Sequence, residues 1–395
     1  MRAYFLFLKE NFSGVVFGWL LTFFSSFGQT FLISLYVPGI LESFHLTNAS
    51  FGVIYAVCTV LSSIIMLTTG HAIDHSPVRK MTYFTLFGLV ASCIVLGMAT
   101  HPIVLIAAMI GLRLTGQGLM SHISLTVMSR YYHEGRGKAL SLSSLGYSAG
   151  EAVFPILITF LILQFGWRFS IFASAGLILV VLFPLLIKSD IEAFDTNEIS
   201  KEKISQKVLW KDYWQLMKGK TFWRLAPAIF MLSFIITGLF FYQIIIATKN
   251  HWPHEQYALC FTGYAIARFL FSLIGGTWVD RWSANTIFSF YLFPLCAGLA
   301  AIVLIHGISG AFIFLLLTGI SIGLGGPVKA AIIAEVYGIE KLGAVRSLFT
   351  VVMVVSTALG PLLVGYLLDA NFSLNTIIMV LLVPLLLAAL NCLRR

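Results

Sequence analysis

The chain is a succession of apolar runs about 20 residues long, each the length an α-helix needs to cross a bilayer, separated by short polar punctuation. Hydrocarbon offers no hydrogen-bond partners, so a backbone crossing it must satisfy its own N–H and C=O groups, as a helix or a closed barrel. Period-two alternation is absent, which excludes an outer-membrane barrel. Hydrophobic residues make up 59% of the 395 and charged residues 10%, against about 25% charged in ordinary soluble domains. The expected class is an all-α integral membrane protein. Twelve spans fit the pattern, at 13–39, 49–70, 79–99, 102–130, 137–163, 167–187, 224–248, 255–279, 284–305, 311–337, 343–368 and 373–392. The first run is too long for a signal peptide and is expected to remain as a helix.

The formal net charge of +9 could suggest a nucleic-acid partner, but its placement argues against one. On these spans, 20 of the 25 Lys and Arg residues fall on one side, only Arg168 and Lys249 on the other, and three inside helices. That asymmetry is the positive-inside rule, so the basic side, with both termini, is expected to be cytoplasmic and the membrane an inner or plasma membrane. Nucleic-acid binding is thereby excluded. Outside lie two sequons, Asn48-Ala-Ser and Asn371-Phe-Ser. Cys58, Cys93, Cys260, Cys296 and Cys392 sit in apolar segments without paired spacing and read as small buried hydrophobes, with no disulfide or metal implied.

The punctuation repeats. Gly70-His-Ala-Ile-Asp74-His-Ser-Pro-Val-Arg79-Lys80 follows the second span, and a weaker copy, Gly276-Thr-Trp-Val-Asp280-Arg281, stands 206 residues later. At the same offset Tyr36 maps onto Tyr242 and Pro155 onto Pro361. The fourth and tenth spans both end in charged clusters, Arg130, Glu134, Arg136 and Lys138 in one and Glu335, Glu340, Lys341 and Arg346 in the other. The predicted organisation is two pseudo-symmetric six-helix bundles, 1–187 and 224–395, joined by a charged cytoplasmic linker at 188–223. That linker is expected to be a solvated tether, with a candidate amphipathic stretch near Val208–Met217 lying on anionic lipid.

By these motifs the chain resembles the major facilitator superfamily over essentially its whole length. The loop after the second span matches that family's pattern at Gly70, Asp74, Arg79 and Lys80. It departs at His75, where a permanent cation is usual, and at Pro77, where glycine is usual. Arg113 followed by Gln117-Gly118 is similar to the family's fourth-helix arginine motif, one residue longer, and Gly146-Tyr-Ser-Ala-Gly150 with Pro155 is loosely similar to its fifth-helix motif. Within the family, Arg268 in the middle of the eighth span and the pattern of the first two spans resemble the monocarboxylate and oxalate/formate branch. Tyr264 stands where the monocarboxylate carriers have an acid, and neither the first-helix lysine of those carriers nor the eleventh-helix lysine of the oxalate carriers is present. The resemblance implies a twelve-helix transporter with a central site between its halves. It also implies that Gly70, Asp74, Arg79, Lys80, Arg130, Glu134, Arg136, Asp280, Arg281, Glu335 and Arg346 form a cytoplasmic gate. The bland reading of these same charges is that they set topology.

A charge at bilayer depth costs several kcal/mol unless paired or hydrated, so Arg113, Glu151, Arg268 and Lys329 are functional candidates by position. At ~1.5 Å per residue, Arg113 lies about 25 Å above Arg130, Glu151 about 22 Å above Arg136, Arg268 about 18 Å above Asp280 and Lys329 about 9 Å above Glu335. Arg113 and Glu151 share a level. They are expected to form either a permanent ion pair or a proton-coupling site in which substrate competes for the arginine. Gln117, Ser121 and Ser124 follow Arg113 at +4, +8 and +11 and are expected to face a wet cavity with it. His122 points away and reads as a packed histidine, with proton relay as the sharper alternative.

Arg268 has no acid within a turn on its own helix, while Tyr264 and Ser272 share its face. A carboxylate substrate gripped in bidentate fashion, or a pair across the halves with Glu151, accounts for it. Lys329 either snorkels or lines the inner pathway, and Gln29 with Ser25, Ser26 and Tyr36, and Tyr242 with Gln243, supply neutral substrate contacts. His71 with His75 and His251 with His254 have spacings a metal can use, but ordinary loop histidines are expected.

Mid-span charge is three positive to one negative, which favours a small organic anion over a cationic drug. The predicted protein is a secondary transporter of a small carboxylate-type anion, with protons as the candidate coupling ion, no cofactor, and a monomeric state. The alternative is an exporter of a larger metabolite, siderophore-like compound or drug. An ATPase is excluded by the absence of a Walker loop, and an enzyme by the absence of a nucleophile–base or metal motif.

Overall fold

The structure is a computed structural model, and it describes residues 2–73, 77–132, 136–188, 214–337 and 342–393. Among these residues every regular element is a helix, joined by short turns. Eleven helices are long and apolar enough to cross a membrane, and a bent pair, Phe12–Gly28 with Thr30–Phe44 at 45°, makes a twelfth. The chain divides into two compact units, one of residues 1–46 and 57–200, the other of residues 47–56 and 201–395. Most of the expected linker lies outside the described residues, and with it most of the candidate amphipathic stretch; residues 214–218 are helical.

In the first unit a short helix, α1 (Arg2–Glu10), precedes the membrane and sets Phe7 edge-on against Tyr132. The first span is broken into α2 (Phe12–Phe24), a 3₁₀ turn at Ser25–Gly28, α3 (Thr30–Ile33) and α4 (Val37–Phe44). The cause is local: the Ser25 hydroxyl donates back to the Thr22 carbonyl at 2.6 Å, and Gln29 takes extended dihedrals of −82° and 149°. Back-bonding hydroxyls of this kind bend helices. Next come α5 (Asn48–Ile73), α6 (Val78–Met98) and α7 (Pro102–Leu112), whose N-terminus is capped by His101 and begun by Pro102. A π-helical stretch, Arg113–Met120, runs into α8 (Ser121–Tyr131), and α9 (Arg136–Phe165) and α10 (Trp167–Lys188) follow. Gly166, at φ +82°, makes the left-handed turn that separates α9 from α10.

The second unit holds α11 (Lys220–Phe241), α12 (Gln243–Lys249), α13 (His254–Trp282), α14 (Ala284–Phe288), α15 (Phe293–Leu304), α16 (Ile308–Tyr337), α17 (Leu342–Asp369) and α18 (Leu374–Cys392). Helices in lipid gain nothing from mutual hydrophobic burial, so they associate where small residues let backbones approach. In this unit α13 and α16 meet in that way. A Cβ on Gly323 would lie 2.6 Å from the Arg268 carbonyl oxygen, and one on Gly319 would be 3.1 Å from the Ala267 Cβ.

This unit also contains the beginning of α5. The first N–H groups of a helix lack partners within it. Here the Asp369 carboxylate accepts from the Asn48 and Ala49 backbone N–H groups, at 3.1 and 2.7 Å, and the Thr47 hydroxyl accepts from that of Ser50 at 3.2 Å. The Asn48 side-chain amide, read from sequence as a sequon nitrogen, donates to the same carboxylate at 2.6 Å. The five cysteines are buried thiols.

Candidate functional site

In the first unit the candidate charges gather on the break in the first span. Arg113 opens the π-helical stretch and is 5% exposed. Its Nη1 donates to Thr30 Oγ1 at 3.3 Å and lies 3.5 Å from the carbonyl oxygen of Gly28, the last residue before the break. A guanidinium placed there meets backbone oxygens that the interrupted helix leaves without an N–H. The approach requires glycine on both sides, since a Cβ on Gly116 would stand 2.6 Å from the Gly28 nitrogen. Gln29 and Gln117 flank this contact and are half-buried.

Glu151, 6% exposed on α9, follows Gly150. A Cβ on Gly150 would lie 3.1 Å from the Phe23 carbonyl oxygen, so α9 is drawn against the first span just where Arg113 meets it from α7 and α8. Both mid-membrane charges of this unit therefore flank one short segment, residues 23–30. His122 is half-buried beyond the π stretch.

Of the polar stripe expected along Gln117, Ser121 and Ser124, Ser124 does not belong to a cavity face. Ser124 is fully buried, donates to the Gly18 carbonyl at 2.8 Å and lies 2.6 Å from the Ser143 hydroxyl. It ties α8 to α2 and α9. The expectation assumed 3.6 residues per turn, but the intervening π-helical turns are wider, so residues beyond Met120 rotate away from the face that carries Arg113. Tyr36 is likewise committed to packing, with its hydroxyl 3.4 Å from that of Ser174.

In the second unit Arg268 sits midway along α13, half-buried, with its Nη1 3.5 Å from the Tyr264 hydroxyl. Tyr264 is 2% exposed. Lys329, half-buried, stands on α16 six residues beyond Gly323, the residue that packs on the Arg268 carbonyl. The shared backbone contacts of α13 and α16 bring the two cations onto one helix pair. Pro327, which precedes Lys329 within α16, faces Gly275, so the proline ring is seated on α13 about two turns beyond Arg268. The acids that belong to this unit's long helices, Glu255, Asp280, Glu335 and Asp369, all stand near helix ends. Tyr242, at the break between α11 and α12, donates to the Asn48 carbonyl at 2.6 Å, and Gln243 beside it is 1% exposed.

Of the predicted gate, Asp74 and Glu134 lie outside the described residues, as do the side chains of Arg130, Arg136, Asp280 and Arg346, and Gly70 is described only as backbone, within α5. Arg79 is half-buried and Lys80 exposed. Arg281 lies over the Trp282 ring, 5.5 Å from its centroid. Glu335 Oε2 accepts from the Ala284 backbone N–H at 3.0 Å, which ties α16 to the start of α14 within the unit. Of the histidine pairs, His75 and the side chain of His71 are outside the described residues, and the His254 ring nitrogen lies 2.9 Å from the Thr248 hydroxyl.

Sequence reasoning passed over Gly28, Thr30 and Asp369. A Gly-Gln pair inside an apolar run signals a break, and a lone acid closing a span signals a cap; neither names its partner.

The family model described as Major Facilitator Superfamily matches residues 18–247 and 225–395. Among solved structures, the chain is similar to a bacterial homologue of the human lysosomal transporter Spinster in an inward-facing, unoccupied conformation. That likeness covers 96% of this chain and 95% of the other, at 14% identity and a TM-score of 0.73. The nucleoside transporter NupG is similar over 97% of this chain and 98% of its own, at 10% identity and a TM-score of 0.75. At such identities the likeness carries the fold alone. No curated protein matches the chain.

Proposed function

The chain belongs to the major facilitator superfamily and is a multi-pass membrane transporter; from that premise we propose that it is a secondary carrier of a small organic anion, working by alternating access. The observation that carries this reading is the placement of Arg268 and Lys329 on one tightly packed helix pair, with the acids of the same helices confined to their ends. Cations on one helix pair at membrane depth repel one another, and an anion close to them offsets that repulsion. A carboxylate matches the guanidinium fork in bidentate geometry, and the ammonium supplies a second, less directional charge. Tyr264 orients the fork, and Gln243 is the candidate neutral polar group of the same unit; Gln29 and Gln117 are the candidate neutral groups of the first unit.

In the first unit, Glu151 is the acid at span depth and the candidate carrier of a coupled proton, with Arg113 as its charge partner. The basic ends of the spans face the cytoplasm of an inner or plasma membrane, and the six-helix halves of 1–187 and 224–395 move as bodies about the linker. The monocarboxylate and oxalate/formate branch is the nearest kin proposed, on Arg268.

The test is uptake into proteoliposomes over a panel of mono- and dicarboxylates, with a neutral nucleoside as control. Arg268→Ala is expected to abolish uptake of the preferred acid, and Arg268→Lys to restore only a small part of it, because a point charge lacks the fork. Carboxylate uptake that survives Arg268→Ala with an unchanged KM, or a clear preference for the nucleoside, would falsify the anion reading.

A further inference from the structure

Where the second unit's helices end on the side of the linker and C terminus, they enclose a polar cavity of about 690 Å³. Its lining includes Lys218, Lys220, Arg224, Asn285, Glu335 and Asn391. The cavity is a built structure. Arg224 Nη2 donates to the Asn285 side-chain oxygen at 2.8 Å, and the Asn391 side-chain amide donates to the Trp223 and Arg224 carbonyls at 2.9 and 3.4 Å. These bonds cross-tie α11, α14 and α18. Glu335 contributes the wall from α16, with its Oε2 already accepting from the Ala284 N–H at 3.0 Å.

The charge count is three cations to one acid. Both lysines are exposed, and among the described residues no hydrogen bond or ion pair holds either of them. The rim carries one tryptophan, Trp223, which is 63% exposed. Four spans begin or end here, near Lys220, Ala284, Tyr337 and Cys392, so the cavity opens at the level where those helices leave the hydrocarbon. Tryptophan is enriched at that level because its ring is part apolar and part polar.

We propose that this cavity is a binding site for the headgroup of an anionic phospholipid, whose phosphate sits between Lys218, Lys220 and Arg224 while its acyl chains run along the exposed Trp223. The proposal rests on the cytoplasmic placement of this end, the leaflet in which anionic lipid is enriched. A soluble anion would find the same cations but would gain nothing from the tryptophan rim, and the rim favours the lipid. The small-anion pair at Arg268 and Lys329 is on other residues, so the two sites can be tested apart.

The experiment uses the full-length protein in detergent, with thermal unfolding read against added dioctanoyl phosphatidylglycerol, dioctanoyl phosphatidylcholine or inorganic phosphate. The glycerol lipid is expected to raise the midpoint saturably, the choline lipid to do so far less, and phosphate at equal concentration not at all. In Lys218→Gln/Lys220→Gln, which leaves the Arg224–Asn285 bond in place, the half-saturating lipid concentration is expected to rise about thirtyfold. Equal shifts from both lipids, an unchanged half-saturation in the double variant, or a phosphate shift matching that of the lipid would each overturn the proposal. Carboxylate uptake by Arg268 variants does not enter this readout, so it fails or stands independently of the transport reading.

Discussion

The carboxylate of Asp369, the last residue of one membrane helix, receives the first two backbone N–H groups of another, those of Asn48 and Ala49, at 3.1 and 2.7 Å. A negative charge at a helix N-terminus meets both the unpaired donors and the positive end of the helix dipole. Lys249 adds a bond to the adjoining Leu368 carbonyl at 3.1 Å, which anchors the end of α17 from a further direction. Asp369→Ala is expected to cost about 1–2 kcal/mol and Asp369→Asn less, since the amide oxygen still accepts. Thermal unfolding in detergent reads the difference; equal losses for both variants would show that a neutral acceptor oxygen does not replace the carboxylate and that the charge carries the cap.

Gly28 and Gly176 offer a paired test of the packing argument. A Cβ at Gly28 would stand 2.8 Å from the Gly116 Cα, whereas one at Gly176, in α10, meets nothing within 4 Å. Gly28→Ala is expected to destabilise by about 3 kcal/mol, the upper part of the overpacking range, and Gly176→Ala to stabilise by up to about 1 kcal/mol through helix propensity. Size-exclusion profiles of heated samples separate the two. A well-behaved Gly28→Ala would mean that the first span and the π-helical stretch are not in backbone contact.

Ser124 and Ser143 form a hydroxyl pair across α8 and α9, 2.6 Å apart. Their replacement by alanine, singly and together, closes a double-mutant cycle with an expected coupling of about 0.6 kcal/mol, the typical value for a hydrogen bond between membrane helices. Additive losses would remove the pair from the list of contacts that hold the first unit together. Transport itself is expected to survive, because neither hydroxyl faces a substrate in this arrangement.

Glu151 is the residue proposed to carry the coupled proton. In proteoliposomes Glu151→Gln is expected to lose accumulation driven by a pH gradient while exchange of labelled for unlabelled substrate continues. If an imposed gradient still stimulates uptake several-fold in that variant, the coupling proton is carried elsewhere.

The number of spans and the helical class were legible from apolar run length, because the bilayer measures every helix against the same thickness. The expected sidedness also came from the sequence alone, out of the lopsided distribution of lysine and arginine. So did the presence of Arg113, Glu151, Arg268 and Lys329 at membrane depth, since rise per residue converts chain position into height. What those side chains touch was not legible. The π-helical turns after Arg113 change the rotation per residue, so Ser124 left the face that a regular helix would have given it and became a tie between helices.

The break at Gln29 is local, but the contact there that makes the first span a partner for Arg113 runs through glycine-to-glycine approach to a helix more than 80 residues away. The cap on α5 comes from Asp369, 321 residues from Asn48 along the chain. Depth and hydropathy are properties of one helix in one solvent and are written in its own residues. Which backbone carbonyl an arginine reaches, or which helix start a carboxylate caps, exists only once distant segments have packed.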